Sequence, residues 1–364
     1  MQSVRKNLCK CVQLCALCKS YIGTQERRKI RPGANIITAK PIFLVCNPAA
    51  GRRKGAFIGR IVAEIEARGA VVNQLITQHA GHGESLAAEL AKSGAAKLVV
   101  AVGGDGTIRE VAAGLYGRDT RLGLIPAGTA NVLAREVGYL KSGATFGRAT
   151  VNRIADILLG NTSSPLYPFQ VEQGGETRLG FCWLSAGFDA EVLARVDAVW
   201  KKRLGRAAFA PAMVKALVLE AKNTAFNWRI DAPHAALPNI EPPHIEPALN
   251  GLVQQGTCGR AVIANIQRYG GPFMLTKATE ISAQGLACLM FEKQGMAARL
   301  AEQCKMLFTP LDKAGAARVL EVGSVTLGSK TTAIQLDGDF AGYGPAKITP
   351  LNKAIEVMSP PPDA

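Results

Sequence analysis

Three short stretches of this 364-residue chain combine residue types that could hold a phosphate group. They are Asn47-Pro48-Ala49-Ala50-Gly51, Gly103-Gly104-Asp105-Gly106-Thr107 and Pro126-Ala127-Gly128-Thr129-Ala130-Asn131. Glycine lets a backbone approach a ligand without a Cβ in the way. Main-chain N–H groups at the start of a helix then face the anion. Asp105 is the odd member, because a carboxylate inside an anion-binding loop calls for a cation or a reacting hydroxyl beside it. It is the first candidate for chemistry.

Each stretch follows an apolar run: Ile42 to Cys46, Leu98 to Val102 and Leu122 to Ile125. Runs without a polar break, rich in β-branched residues, predict buried parallel strands. In an open parallel sheet, ligands bind outside the carboxyl ends of the strands, which is where all three turns fall. Val71 to Ile76 reads as a further strand. Helical faces follow at Ile58, Ile61, Val62 and Ile65, at Ser85 to Lys92, at Ile108, Val111, Ala112 and Leu115 with Thr107 opening that helix, and from Phe146 to Leu159. Arg52, Arg53 and Lys54 stand where cations could face phosphates. From residue 166 to 345 the segments become short and alternating, which predicts an antiparallel sheet or sandwich. Ala346 to Val357 reads as a strand returning to the first part.

Composition narrows the partners. Net charge is +15, and the first forty residues hold nine basic side chains against Glu26 alone. A basic leader is attracted to an anionic membrane surface at about 1 kcal/mol per well-placed cation. Aromatics make up 6% of the chain and form no basic-aromatic module, so nucleic acid is disfavoured. No apolar run approaches the ~20 residues that span a bilayer. The expectation is therefore a cytoplasmic, peripherally membrane-associated protein. Cys9, Cys11, Cys15 and Cys18 leave three readings open: an unstructured leader, a soft-metal site or an acylation site. The other five cysteines predict buried reduced thiols. His79 and His82 read as structural. The chain has neither G-x4-G-K-[ST] nor G-x-G-x-x-G at Gly103 to Arg109, against a P-loop enzyme and a dinucleotide oxidoreductase.

In order and spacing, NPAAG, GGDGT and PAGTAN resemble the diacylglycerol kinase catalytic-domain family, which includes sphingosine and ceramide kinases and bacterial relatives. The resemblance runs from about Lys40 to about Pro360. It implies an N-terminal parallel-sheet α/β nucleotide domain at 40–164, a C-terminal antiparallel β-sandwich lipid domain at 165–345, and a segment at 346–364 that returns to the first domain. Residues 1–39 would be a disordered basic leader. The resemblance also implies ATP held by Asn47, Pro48, Ala49, Ala50, Gly51, Thr77, Gly103, Gly104, Asp105, Gly106, Thr107, Ile108, Arg109 and Thr129. Mg2+ would accompany the nucleotide at Asp105, and Asp339 would be the general base for a lipid hydroxyl. Ser185 to Val192 and Ile263 to Lys277 resemble family segments, the first near the substrate cleft.

Three departures matter: Arg109 where relatives often have Asn, Asp339 where they have Glu, and Ser282-Ala283-Gln284-Gly285 where bacterial relatives place metal-binding carboxylates. The last predicts no structural metal. The expected partner is a lipid at an anionic membrane surface, with a homodimer also admitted. GGDGT alone is shared with NAD kinases and phosphofructokinase-like enzymes. An NAD kinase-like enzyme and a catalytically silent lipid- or nucleotide-binding regulator are the competing readings.

Overall fold

The computed structural model describes residues 41–51, 54–141, 143–195, 225–231, 254–270, 273–277, 285–291 and 317–362. Its first sheet contains β1 (Ile42–Cys46), β2 (Val72–Ile76), β3 (Leu98–Gly103), β4 (Arg121–Pro126), β5 (Ser163–Leu166) and β20 (Ile355–Met358), in the order β2-β1-β3-β4-β20-β5. All neighbours are parallel except β20 with β5. β1 is buried along its whole length and β3 from its second residue on, because helices cover the sheet.

The helices in chain order are α1 (Pro48–Gly51), α2 (Gly55–Ala67), α3 (His82–Lys92), α4 (Asp105–Leu115), α5 (Val132–Glu136), α6 (Arg148–Leu159) and α7 (Phe188–Arg195). α2 buries Phe57, Ile61, Val62 and Ile65. α6 comes against β4 at Gly123, where a Cβ would lie 2.5 Å from a Leu158 methyl. α4 meets α3 at Gly114, where a Cβ would lie 2.2 Å from the Glu84 carbonyl oxygen.

The remaining strands are β6 (Phe169–Gln173), β7 (Glu176–Gly180), β8 (Trp183–Gly187), β9 (Phe226–Asp231), β10 (Gln254–Cys258), β11 (Arg260–Ala264), β12 (Arg268–Tyr269), β13 (Phe273–Met274), β14 (Leu286–Phe291), β15 (Arg318–Val322), β16 (Ser324–Leu327), β17 (Ala333–Leu336), β18 (Asp339–Tyr343) and β19 (Ala346–Pro350). β12 pairs β13 alone, and the rest make two six-stranded antiparallel sheets, ordered β10-β9-β16-β19-β6-β7 and β15-β14-β11-β8-β17-β18. One apolar core, with Leu184, Ile263, Trp228 and Val325 among its members, fills the space between them. The opposite face of the third sheet gives Trp183, Val262 and Leu289 to the core of the α/β part. The architecture is therefore α/β plus β, as the turns and alternation predict.

Two expectations change. Ala346 to Val357 is not one strand: β19 pairs β6 and β16 in the second sheet, and only β20 enters the first. The physical reason lies in the burial: Ala346 and Ile348 point into the sandwich, whereas Ile355 and Val357 belong to the α/β core. Ser163–Leu166 adds a strand to the first sheet that alternation does not signal. Residues 1–39, Arg52, Arg53, the basic cluster Lys201, Lys202, Arg203 and Arg206, and the turn at 282–284 lie outside the described residues, so the expectations resting on them do too. Cys46, Cys182, Cys258 and Cys288 are buried thiols.

Candidate active site

β1, β3 and β4 end side by side, and their turns interlock through backbone. Asn47 N–H donates to the Val102 carbonyl at 3.0 Å, Ala127 N–H to that of Gly103 at 2.7 Å, and Thr77 N–H to that of Cys46 at 2.9 Å. Gly104 and Gly128 meet face to face: a Cβ on Gly128 would lie 2.5 Å from the Gly104 Cα. This close approach explains why glycine stands at both positions.

Side chains complete the frame. Asn47 Nδ2 donates to Thr107 Oγ1 at 3.0 Å, while its Oδ1 accepts the Ala49 N–H at 2.9 Å, so one amide ties the first turn to the second. Pro48, Ala49, Ala50 and Gly51 form the single turn of α1. Thr107 does not open a helix; α4 begins at Asp105, with Gly104 as the flanking residue. Thr107 instead packs on Gly103, where a Cβ would lie 2.5 Å from its hydroxyl oxygen. The first N–H groups of α4 have no carbonyl one turn earlier within the helix, which leaves them facing the strand ends. Ile108 is buried, Thr77 is buried and Thr129 is exposed.

Asp105 has a structural duty that sequence did not announce. Its Oδ1 accepts the Val132 N–H at 2.7 Å and the Leu133 N–H at 3.4 Å, capping α5. Burial pushes its carboxyl up from the ordinary value, and these backbone donors oppose the shift. Asn131, in the left-handed region at φ 50°, grips Gly128 through both of its backbone groups at 2.8 and 2.9 Å. Lys54 donates to the Gly128 carbonyl at 2.6 Å and lies 4.1 Å from the Phe146 ring centroid. Burial, helped by Arg135, lowers its ammonium to about 8.

The hairpin between β17 and β18 reaches the same place from the third sheet. A Cβ on Gly106 would lie 3.3 Å from Asp339 Oδ2, and Arg109 Nη2 is 3.3 Å from the same oxygen. Two departures from the family pattern, 230 residues apart, thus contact each other. Asp337, two residues earlier, is buried and accepts the N–H groups of Phe181, Cys182 and Trp183 at 3.0, 2.8 and 3.1 Å. Burial raises its carboxyl to about 6 despite these donors. Asp337 and Glu110, which accepts the Gly81 and Gly83 N–H groups at 2.9 and 3.0 Å and so fixes the start of α3, escaped sequence reasoning. No local pattern marks a carboxylate whose partners are backbone groups. Among the described residues there is no cluster of three or more His, Cys, Asp or Glu suited to a metal.

The chain is similar to known proteins. Residues 41–161 match the family model described as the diacylglycerol kinase catalytic domain. A diacylglycerol kinase of Bacillus subtilis is 25% identical over 332 residues, covering 87% of this chain and 95% of that protein. A "Probable lipid kinase YegS-like" of Pseudomonas putida is 30% identical over 178 residues, 47% of this chain and 56% of that protein. A crystal structure of a diacylglycerol kinase from Bacillus anthracis superposes with a TM-score of 0.64 over 89% of this chain and 98% of that one, at 19% identity, which speaks to the fold. By its turns and by this match, the stretch from residue 41 to 161 belongs to the diacylglycerol kinase catalytic-domain family.

Proposed function

We propose that this chain is an ATP-dependent lipid kinase that transfers the γ-phosphoryl group to a hydroxyl of a diacylglycerol- or sphingoid-like lipid. The observation that carries the reading is the meeting of Asp339 with Gly106 and Arg109. It sets an acceptor-side carboxylate against the loop that would hold the donor. ATP would supply the phosphoryl group, and Mg2+ carried with it would offset the charge on the phosphates. Phosphoryl transfer asks the protein mainly for alignment and charge neutralisation.

The residues fit that task. Gly103, Gly104 and Gly128 let the three turns close on one another at the strand ends, and the start of α4 and the Lys54 ammonium favour negative charge there. Asp105 holds the start of α5, and its carboxylate would also hold the metal that accompanies the nucleotide. Asp339 takes the proton of the lipid hydroxyl; its carboxylate is half-exposed and so within reach of an entering acceptor. A lipid acceptor requires the protein to work at a membrane surface, and the basic sequence supports binding to an anionic one. No helix among the described residues is long and apolar enough to cross a membrane.

The deciding experiment incubates the full chain with radiolabelled ATP and Mg2+. Diacylglycerol, monoacylglycerol, sphingoid base and ceramide are presented in anionic vesicles, with NAD as a soluble competitor. A labelled lipid is the expected product. Label in the nicotinamide dinucleotide alone, or ATP binding without transfer, would overturn the reading in favour of an NAD kinase-like enzyme or a silent regulator respectively.

A further inference from the structure

Arg109 stands where the resemblance implies a nucleotide contact, yet its observed partner lies on the acceptor side. Asp105, Gly106 and Arg109 occupy adjoining positions in the opening two turns of α4, because residues three and four apart are neighbours on a helix surface. The Asp339 carboxylate rests on that surface. Its Oδ2 lies 3.3 Å from Arg109 Nη2, and a Cβ on Gly106 would come within 3.3 Å of the same oxygen. A missing side chain at 106 and a guanidinium at 109 thus form a seat for one carboxylate. The start of a helix favours negative charge as well.

Stability does not account for the pair. The Arg109 and Asp339 side chains are 25% and 49% exposed, and an ion pair so exposed contributes little. The arrangement also works against the fold: Arg109 Nε is buried with no hydrogen-bond partner among the described residues. A buried donor without an acceptor is destabilising and rare. The guanidinium charge reaches the buried Asp337 too, whose carboxyl it holds lower than burial alone would. A contact that stabilises little and strands a donor has its use elsewhere, and the proposed general base is the group it touches.

We propose that Arg109 is a positioning residue, which aims the Asp339 carboxylate by holding it against Gly106. The inference rests on the lipid-kinase reading and assigns Arg109 a role within it. As the acceptor oxygen bonds to the γ-phosphorus and the bridging P–O bond to ADP breaks, the hydroxyl proton passes to Asp339. Aspartate is one methylene shorter than glutamate, so a base this short depends more on how its carboxylate is aimed. Steady-state kinetics of the full chain test the proposal, on the lipid of the vesicle panel that wild type labels best. Arg109→Gln should lower kcat about tenfold and leave the KM values for ATP and lipid within about twofold of wild type. Arg109→Lys, which keeps the charge without the fork, should lose only about threefold. Asp339→Glu alone should lower kcat, because the longer side chain overruns the seat. In the Arg109→Gln background the same change should raise kcat about threefold.

A residue that merely supports the fold would not reverse the effect of a substitution at its neighbour. Additive losses in the double variant would therefore overturn the proposal. An ATP KM raised about tenfold in Arg109→Gln at unchanged kcat would overturn it as well, by assigning Arg109 to the nucleotide. If wild type labels no lipid, hydrogen exchange of the Gly338 to Phe340 amides decides. Faster exchange there in Arg109→Gln than in wild type keeps the seat and sinks only the kinase reading, whereas unchanged exchange sinks both.

Discussion

Two carboxylates in the sequence Asp337-Gly338-Asp339 have opposite fates, and the difference is burial. Asp339 is half-exposed against Arg109, while Asp337 is enclosed and gripped by three backbone donors. For Asp337 the folded carboxyl holds its proton up to about pH 6, against an ordinary value of 3.8. Between those values the folded state binds more protons than the unfolded one. The group's contribution is therefore fully present below pH 3.8 and is lost as pH rises to about 6, a change of about 3 kcal/mol. Asp337→Asn removes that titration, so the stability gap between wild type and variant should narrow by this amount from pH 4 to 7 in urea unfolding. Parallel curves would contradict the burial argument. Asp105→Asn leaves a side-chain oxygen to accept the Val132 N–H, so the fold should survive with a melting temperature within a few degrees of wild type. Transfer to lipid should fall by roughly 10²–10³ or more, since the charge is gone; unchanged turnover would remove Asp105 from the mechanism.

At the scale of elements, the site depends on loops that touch without side chains. Gly128→Ala would place a methyl 2.5 Å from the Gly104 Cα, and backbone on both sides must then separate. We expect destabilisation of about 1–3 kcal/mol and roughly tenfold weaker ATP binding, read by chemical denaturation and by titration of the nucleotide. Gly59→Ala is the matched control. It lies in α2 with no atom within 4 Å of the added methyl, and an alanine in a helix interior should stabilise by about 0.5–1 kcal/mol. The strands β1, β3 and β4 were legible because a buried parallel strand shows itself as an unbroken apolar run. β5 was not: Ser163-Ser164-Pro165-Leu166 has no such pattern, and its place comes from pairing with β20 almost two hundred residues later.

Across the whole molecule, the chain crosses between sheets and returns to its start. β20 sits between β4 and β5, so the last strand of the chain is internal to the first sheet. Ile355, Val357 and Met358 are buried in the α/β core. A chain ending at Lys353 retains every proposed nucleotide residue and loses this strand. It should show no cooperative thermal transition and no ATP binding; a truncated protein that melts as sharply as wild type would show β20 to be dispensable. The α/β core also includes Trp183, Val262 and Leu289 from the third sheet, which brings Asp339 to Gly106.

What the residues determined alone is the set of short-range features: three glycine-bearing turns after three apolar runs, helical faces between them, and a change to alternation near residue 166. These are local because chain conformation at a turn and burial along a strand depend on neighbouring residues. Tertiary structure decided the pairings between distant residues. It chose which of Asp337 and Asp339 would face inward, gave Asp105 the start of α5 to cap, joined Arg109 to Asp339, and split the C-terminal stretch between two sheets. Such contacts depend on which faces meet once the sheets have packed, and spacing along the chain carries no record of that.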